Sequence, residues 1–286
     1  MIDRTLNAPA NAAALLPGSS TLPAPSAAST KGSTKGTISQ LLEWFGDLGI
    51  FFWQVVRAAV TPPFEFRELL RQLDEIGSKS LPLVALAGAA TGIVLSLEAR
   101  YSLTRFGAKS LLPAAIVFSI IHETGPIITG LVVSGRVGAG IGAELASMKV
   151  TEQIDAIESS AVNPYRLLAA TRILACILMM PLLTLAADAS GLIMGWIAQA
   201  VVEPLSFHQF INSGFKGAGF NDFLPPTFKT MVFGLIIGLV ACFQGMRTQG
   251  GAAGVGRAAT SSVVLSSLFV ILADVVLVKI ILIFFP

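Results

Sequence analysis

Five stretches of this chain are apolar in continuous runs that do not alternate residue by residue, at about 80–98, 110–135, 173–202, 227–246 and 261–285. Runs of about 20 apolar residues fit a helix crossing a hydrocarbon core ~30 Å thick. Continuous hydrophobicity argues against a transmembrane barrel, whose strands alternate. Lipid cannot satisfy backbone groups, so each run must close its hydrogen bonds within itself. The pattern predicts an all-α integral membrane protein with five transmembrane helices. The third run would measure ~45 Å at 1.5 Å per residue, so it must tilt, break near Pro181 or protrude.

The remaining segments differ in kind. Residues 1–37 are rich in Ala, Ser, Thr, Pro and Gly, lack apolar periodicity and read as a disordered extension without a secretory h-region. Residues 38–79 form a second region. Its first part, 38–60, mixes aromatics with Glu43, Asp47 and Arg57, and Trp44 and Trp53 suit headgroup depth, so it reads as an interfacial amphipathic helix. Pro62 and Pro63 end it, and 64–79 reads as a short charged helix leading into the membrane domain, 80–286. Between the second and third runs, 143–159 predicts one more helix. Glu144, Ser147, Thr151, Asp155 and Glu158 recur at spacings of three and four on one polar face, and Asn163-Pro164 stops it. Membrane-surface helices favour Lys and Arg on that face; an acidic face suits docking onto another protein.

Composition agrees. Of 286 residues, 53% are hydrophobic and 13% charged, with a formal net charge of +2, which offers nothing to nucleic acid. Cys176 and Cys242 lie inside apolar runs as packing residues, and two histidines cannot build a metal centre alone. With the N-terminus cytoplasmic, thirteen Lys and Arg fall on the inner side and six on the outer, Lys229 and Lys279 among the latter. That puts 136–172 in the cytoplasm. Small-residue pairs Gly88/Gly92, Gly138/Gly142, Gly191/Gly195 and Gly234/Gly238 allow close helix approach within one bundle.

Candidate chemistry centres on Glu123. A carboxylate in the middle of a span must face protein, water or ligand. His122 precedes it, and Pro126 removes a backbone hydrogen bond and should kink or open the helix beside it. Asp188 and Asp274 are further intramembrane acids, with Lys279 five residues after the latter; interhelical hydrogen bonding accounts for them more simply than proton coupling. Neither GxxxxGK[ST] nor GxSxG nor HExxH occurs, so nothing argues for an enzyme or for ATP hydrolysis by this chain.

His122-Glu123-Thr124-Gly125-Pro126, Ser134-Gly135-Arg136-Val137-Gly138, Ala143-Glu144-Leu145, the run 148–156 (MKVTEQIDA) and Val162-Asn163-Pro164 together resemble the signature block of the MlaE (YrbE) family, and the likeness extends over about 40–286. The resemblance implies a permease subunit of an ABC transporter that moves lipids, by family default phospholipids, between inner and outer membranes and maintains outer-membrane lipid asymmetry. It implies a homodimer of five-span subunits in a bacterial inner membrane, with a plastid inner envelope as the less favoured setting. It implies a cytoplasmic P-loop ATPase that binds ATP and magnesium, a periplasmic hexamer of lipid-binding MCE-domain subunits and a small STAS-domain protein; no cofactor or metal belongs to the permease itself. The 143–159 segment would be the coupling helix, with Glu144, Met148, Thr151, Glu152 and Asp155 at the ATPase. The lipid cavity would lie at His122, Glu123 and Pro126. Where the family often carries Arg-Glu-Leu-Gly-Pro, this chain has His122, which exchanges a fixed cation for a titratable imidazole. The competing reading is a proton-coupled secondary transporter of a hydrophobic solute using Glu123, Asp188 and Asp274.

Overall fold

The computed structural model describes residues 37–61, 65–216 and 220–284. The predicted disorder of 1–37, apart from Thr37, and the Pro62-Pro63 stop lie outside them. Every regular element among the described residues is helical: α1 (Thr37–Val60), α2 (Phe66–Arg105), α3 (Leu112–Ser119), α4 (Gly125–Val133), α5 (Ala139–Val150), α6 (Gln153–Ser159), α7 (Thr171–Ala200), α8 (Phe207–Gly214), α9 (Phe220–Met246) and α10 (Gly251–Phe284). Five helical segments are long and apolar enough to cross a membrane: Phe66–Arg105, Lys109–Val150, Tyr165–Ala200, Phe223–Met246 and Gly251–Phe284. They all belong to one compact unit, Glu43–Pro286; of the other, Met1–Leu42, only the first residues of α1 are described.

Several boundaries differ from expectation. The charged 64–79 segment and the first span are one 40-residue helix, α2, which runs through Pro82. α7 likewise runs through Pro181, and with its preceding π turn the third span reaches 36 residues. At 1.5 Å per residue it is ~54 Å long, so it protrudes and does not break. Pro in a span is tolerated where neighbouring groups take up the freed carbonyl. α8, not expected from the sequence, begins with a Ser206/Gln209 capping box and buries Phe210.

The second span is α3, α4 and α5 in a row, joined by π turns at Ile120–Thr124 and Ser134–Gly138. The first sits directly before Gly125-Pro126, so the helix opens there as expected. A π turn widens the ring and absorbs the proline's missing donor without ending the helix. The expected single helix over 143–159 is broken. α5 stops at Val150, Glu152 adopts a left-handed backbone with φ 58°, and α6 starts at Gln153. Ile154, buried, pins α6 to the bundle.

α2 packs along α7; α9 lies among α5, α7 and α10. About two thirds of the apolar window of α9 is buried, against about a tenth for α10. α10 meets the bundle through one stripe at every fourth position, Gly254, Ala258, Ser262, Ser266, Val270 and Asp274. The glycine pairs sit at these seams. A Cβ on Gly92 would overlap the Gly191 carbonyl, one on Gly234 the Cys176 carbonyl, and one on Gly142 the Ser262 hydroxyl. α1 is amphipathic, burying Phe51, Val55 and Ala58 while exposing Phe45, Ile50 and Trp53.

Candidate functional site

The first π turn sets out the site. It turns Glu123 towards α9, where Lys229 Nζ lies 2.9 Å from Glu123 Oε2 and 2.9 Å from Asp274 Oδ1 on α10. The same ammonium donates to the His122 carbonyl at 2.9 Å. A π turn leaves a carbonyl out of the regular ladder, and here a buried cation uses one. The Lys229 side chain is 2% exposed and that of Asp274 5%, while Glu123 is 44% exposed. Two of the three charges are therefore buried, and the third faces a cavity.

That cavity holds about 270 Å³. Glu123, Lys229 and His122 form its polar end; Phe118, Pro226, Val278 and Leu282 are among its apolar walls. The His122 ring stacks on Phe118 with centroids 3.9 Å apart. Pro126 is buried one turn on and does not line this cavity. Its part is played through the helix opening it accompanies.

Lys229 stands inside the bundle and not in the outer loop, where the charge count of the sequence puts it. It lies nine residues into α9, and Asp274 lies ten residues from the end of α10, so both reach the same depth. A lysine near the start of an apolar run, with two intramembrane acids elsewhere in the chain, is the signal that points to it. Asp274 pairs with this lysine; the spacing to Lys279 five residues on carries no bond here.

Asp188 is separate. It is buried on α7, neither carboxyl oxygen has a hydrogen-bond partner among the described residues, and it points at Gly125, where a Cβ would overlap Oδ1. It sits against the chain directly after the π turn.

The expected coupling residues divide. Glu144 accepts from Arg172 Nη2 at 2.9 Å, and Arg172, 2% exposed, also donates to the Leu168 carbonyl. Glu144 thus ties α5 to α7. Met148 packs against the core. Thr151 caps α5 by donating to the Ser147 carbonyl at 2.8 Å. Lys149 and Asp155 bridge the break at 2.7 Å. Glu152, Asp155 and Glu158 remain on the surface, beside a groove of about 330 Å³ that includes Asp47, Phe51, Tyr165 and Arg247.

At the opposite end Glu203 gathers Lys109 and Arg100, each at 3.0 Å. The hydrogen bond from Lys109 first, then the charges of Lys109 and Arg100, hold its carboxyl below the ordinary value. This clamp joins the first three spans at that end of the bundle.

Comparisons with known proteins agree with this architecture. The family model described as Permease MlaE matches residues 69–280. A probable ABC transporter permease protein of Rickettsia typhi is 36% identical over 229 residues, covering 80% of this chain and 88% of the relative. One of Synechocystis is 30% identical over 245 residues, 85% and 93% of the two chains. Protein TRIGALACTOSYLDIACYLGLYCEROL 1, chloroplastic, of Arabidopsis thaliana is 32% identical over 235 residues, 82% and 67%. The match begins at the fourth residue of α2 and ends four residues before the end of α10, and by that extent this chain belongs to the MlaE family of ABC transporter permeases.

Proposed function

We propose that this permease moves phospholipids between the inner and outer membranes of a bacterial envelope, driven by a separate P-loop ATPase that docks on α6 and the break at Thr151 and Glu152. The carrying observation is the cavity at Glu123. It joins a charged end, where Glu123 and Lys229 line it and Asp274 backs the lysine, to an apolar wall, in a helix crossing the membrane. A molecule with a charged head and a hydrocarbon tail suits both parts; a purely hydrophobic solute would leave the charges unused. Lys229 can trade Glu123 for a phosphate oxygen while Asp274 keeps it neutralised from behind. The name of the Arabidopsis relative is that of a glycolipid, and lipid is the common chemistry.

The remaining assembly follows the same reading: a homodimer in the inner membrane, an MCE-domain hexamer on the outer side and a STAS-domain protein with the ATPase. The acids on the surface at Glu144, Glu152, Asp155 and Glu158 are the docking face, Glu144 and Asp155 keeping half-exposed carboxylates beside Arg172 and Lys149. ATP and magnesium would bind the ATPase and not this chain.

The test is reconstitution of the purified permease with its co-purifying ATPase in vesicles carrying fluorescent phosphatidylethanolamine. ATP-dependent lipid movement, lost in Glu123→Ala and uncoupled from ATP hydrolysis in Glu152→Lys, is expected. Movement driven by a pH gradient with no ATPase present would overturn the reading in favour of the proton-coupled alternative.

A further inference from the structure

The second π turn repeats the logic of the first. Ser134–Gly138 places Arg136 against α2, where Nη1 donates to Ser80 Oγ at 2.5 Å. Among the described residues Arg136 has no carboxylate within ion-pair distance. Every other charged group lining the adjacent cavity has a partner of opposite charge: Arg71 with Glu68 at 3.7 Å, Glu75 with Lys79, and Glu144 with Arg172. A guanidinium held by a hydroxyl and facing open space is a cation prepared for an anion.

The space is there. A cavity of about 360 Å³ opens beside Arg136, with Arg71, Glu75 and Glu144 at its charged walls and Gly140 in its lining. A Cβ on Gly140 would meet nothing within 4 Å. The depth is set by α2. Over 66–79 its exposed residues include Arg71, Asp74, Glu75 and Lys79; from Leu81 onward Leu81, Leu83 and Leu86 face outward. Ser80 therefore stands where polar surface gives way to the lipid-facing belt, the depth of phospholipid headgroups. By the charge asymmetry this is the cytoplasmic leaflet. Arg136 is thirteen residues from Glu123 along the same span, ~20 Å at 1.5 Å per residue.

We infer that the Arg136 cavity is a second lipid site, which takes the phosphodiester headgroup of a cytoplasmic-leaflet phospholipid, with its acyl chains lying along the leucine face of α2. Arg136 and Arg71 take the phosphate; Glu75 and Glu144, at the rim, favour a headgroup that carries an amine over one with net negative charge. The inference rests on this cavity and not on the transport reading.

The test uses the full-length permease in nanodiscs containing a photoactivatable phosphatidylethanolamine, without ATPase, and maps crosslinked peptides by mass spectrometry. Crosslinks to 66–83 and 134–145 are expected, reduced at least fivefold in Arg136→Gln and in Gly140→Trp, and unchanged in Glu123→Gln. The Gly140 variant fills the cavity and leaves every charge in place, so it decides the matter if Arg136→Gln folds poorly. Crosslinks that persist in Gly140→Trp overturn the site. Equal labelling by a photoactivatable phosphatidylglycerol overturns the role given to Glu75 and Glu144. Protection by millimolar inorganic phosphate or glycerophosphoethanolamine alone would show a soluble phosphate site instead of a lipid one. Loss of transport with crosslinking retained would strike the proposed function and leave this site standing.

Discussion

Lys229→Met is the most informative single change. The side chain it removes is 2% exposed and neutralises Asp274, itself 5% exposed, at 2.9 Å. Removing one partner of a buried pair leaves the other charge uncompensated and costs about 3–5 kcal/mol. Glu123 adds little to that cost, because it is 44% exposed and water can replace the lysine; an exposed pair contributes about 0–1 kcal/mol. Asp274→Asn should fall between, because it removes one buried charge while Lys229 keeps its hydrogen bonds to Glu123 and the His122 carbonyl. Removing both buried charges in Lys229→Met/Asp274→Leu leaves nothing uncompensated, and an apolar replacement of a buried pair is close to neutral. The double variant should therefore recover most of the loss. The assay is equilibrium unfolding in mixed micelles, followed by the fluorescence of Trp44, Trp53 and Trp196. The order expected is Lys229→Met worst, then Asp274→Asn, then Glu123→Gln. A Lys229→Met protein no less stable than Glu123→Gln, or a double variant as unstable as the single, would refute the view that Asp274 is the charge Lys229 is there to balance.

Gly92→Leu drives a side chain into the Gly191 backbone and should cost about 3 kcal/mol or more, read as lost monodisperse protein after extraction; Gly140→Leu, with open space at its Cβ, should extract like the parent. Gly125→Ala should destabilise the first π turn by overlap with Asp188, and Gly125→Ala/Asp188→Ala should regain stability; a double variant no better than the single would put the strain elsewhere. Glu203 has a lowered folded pKa, so its contribution is full above the unfolded carboxylate value and fades as pH falls through the lower folded one. The melting-temperature difference between the parent and Glu203→Gln should accordingly be present at pH 7 and shrink below the ordinary carboxylate range; a constant difference would sink the clamp.

The five spans are legible in the sequence because a membrane demands apolar side chains along the whole length of a helix, a property that any 20-residue window carries. Their ends are not. The 66–79 stretch is charged and Pro82 follows, yet α2 runs straight through, because a helix needs no apolar face once it stands beyond the lipid and α7 supports it inside. The break after α5 gives no sign, since its left-handed residue is Glu152, where Gly or Asn would have marked a stop. Glu123 is legible because a carboxylate in an apolar run is rare and costly. Its partner is not, because Lys229 stands close enough to a run's edge to be counted with the loop. Periodicity puts Glu144 on the acidic face; only the approach of α7 shows that it also binds Arg172, its own side chain staying half exposed.

The two π turns of the second span are best understood together. An unbroken α-helix from Lys109 to Val150 would be a rod, and any displacement at its Val150 end would move Glu123 by the same amount. A π turn has one loosened hydrogen bond and can pass to α-geometry by shifting one residue, which rotates everything beyond it. The chain places one such turn at Glu123 and another at Arg136, each beside a cavity, and ties the far end to α6 through Lys149 and Asp155. If α6 is the docking element of the proposed function, its movement would turn the α4 segment between the two turns without dragging the whole span. Gly125 and Gly130 give this segment seams too close for side chains, against Asp188 and Val270, and Gly138 meets Ser266 with no side chain of its own. Rotation there has few side chains to clear, whereas the same rotation in α7 would break the packing of its buried half. The third span has a π turn, at Tyr165–Ala170, and a glycine seam further on at Gly191 and Gly195; in the second span the turns flank the seam directly.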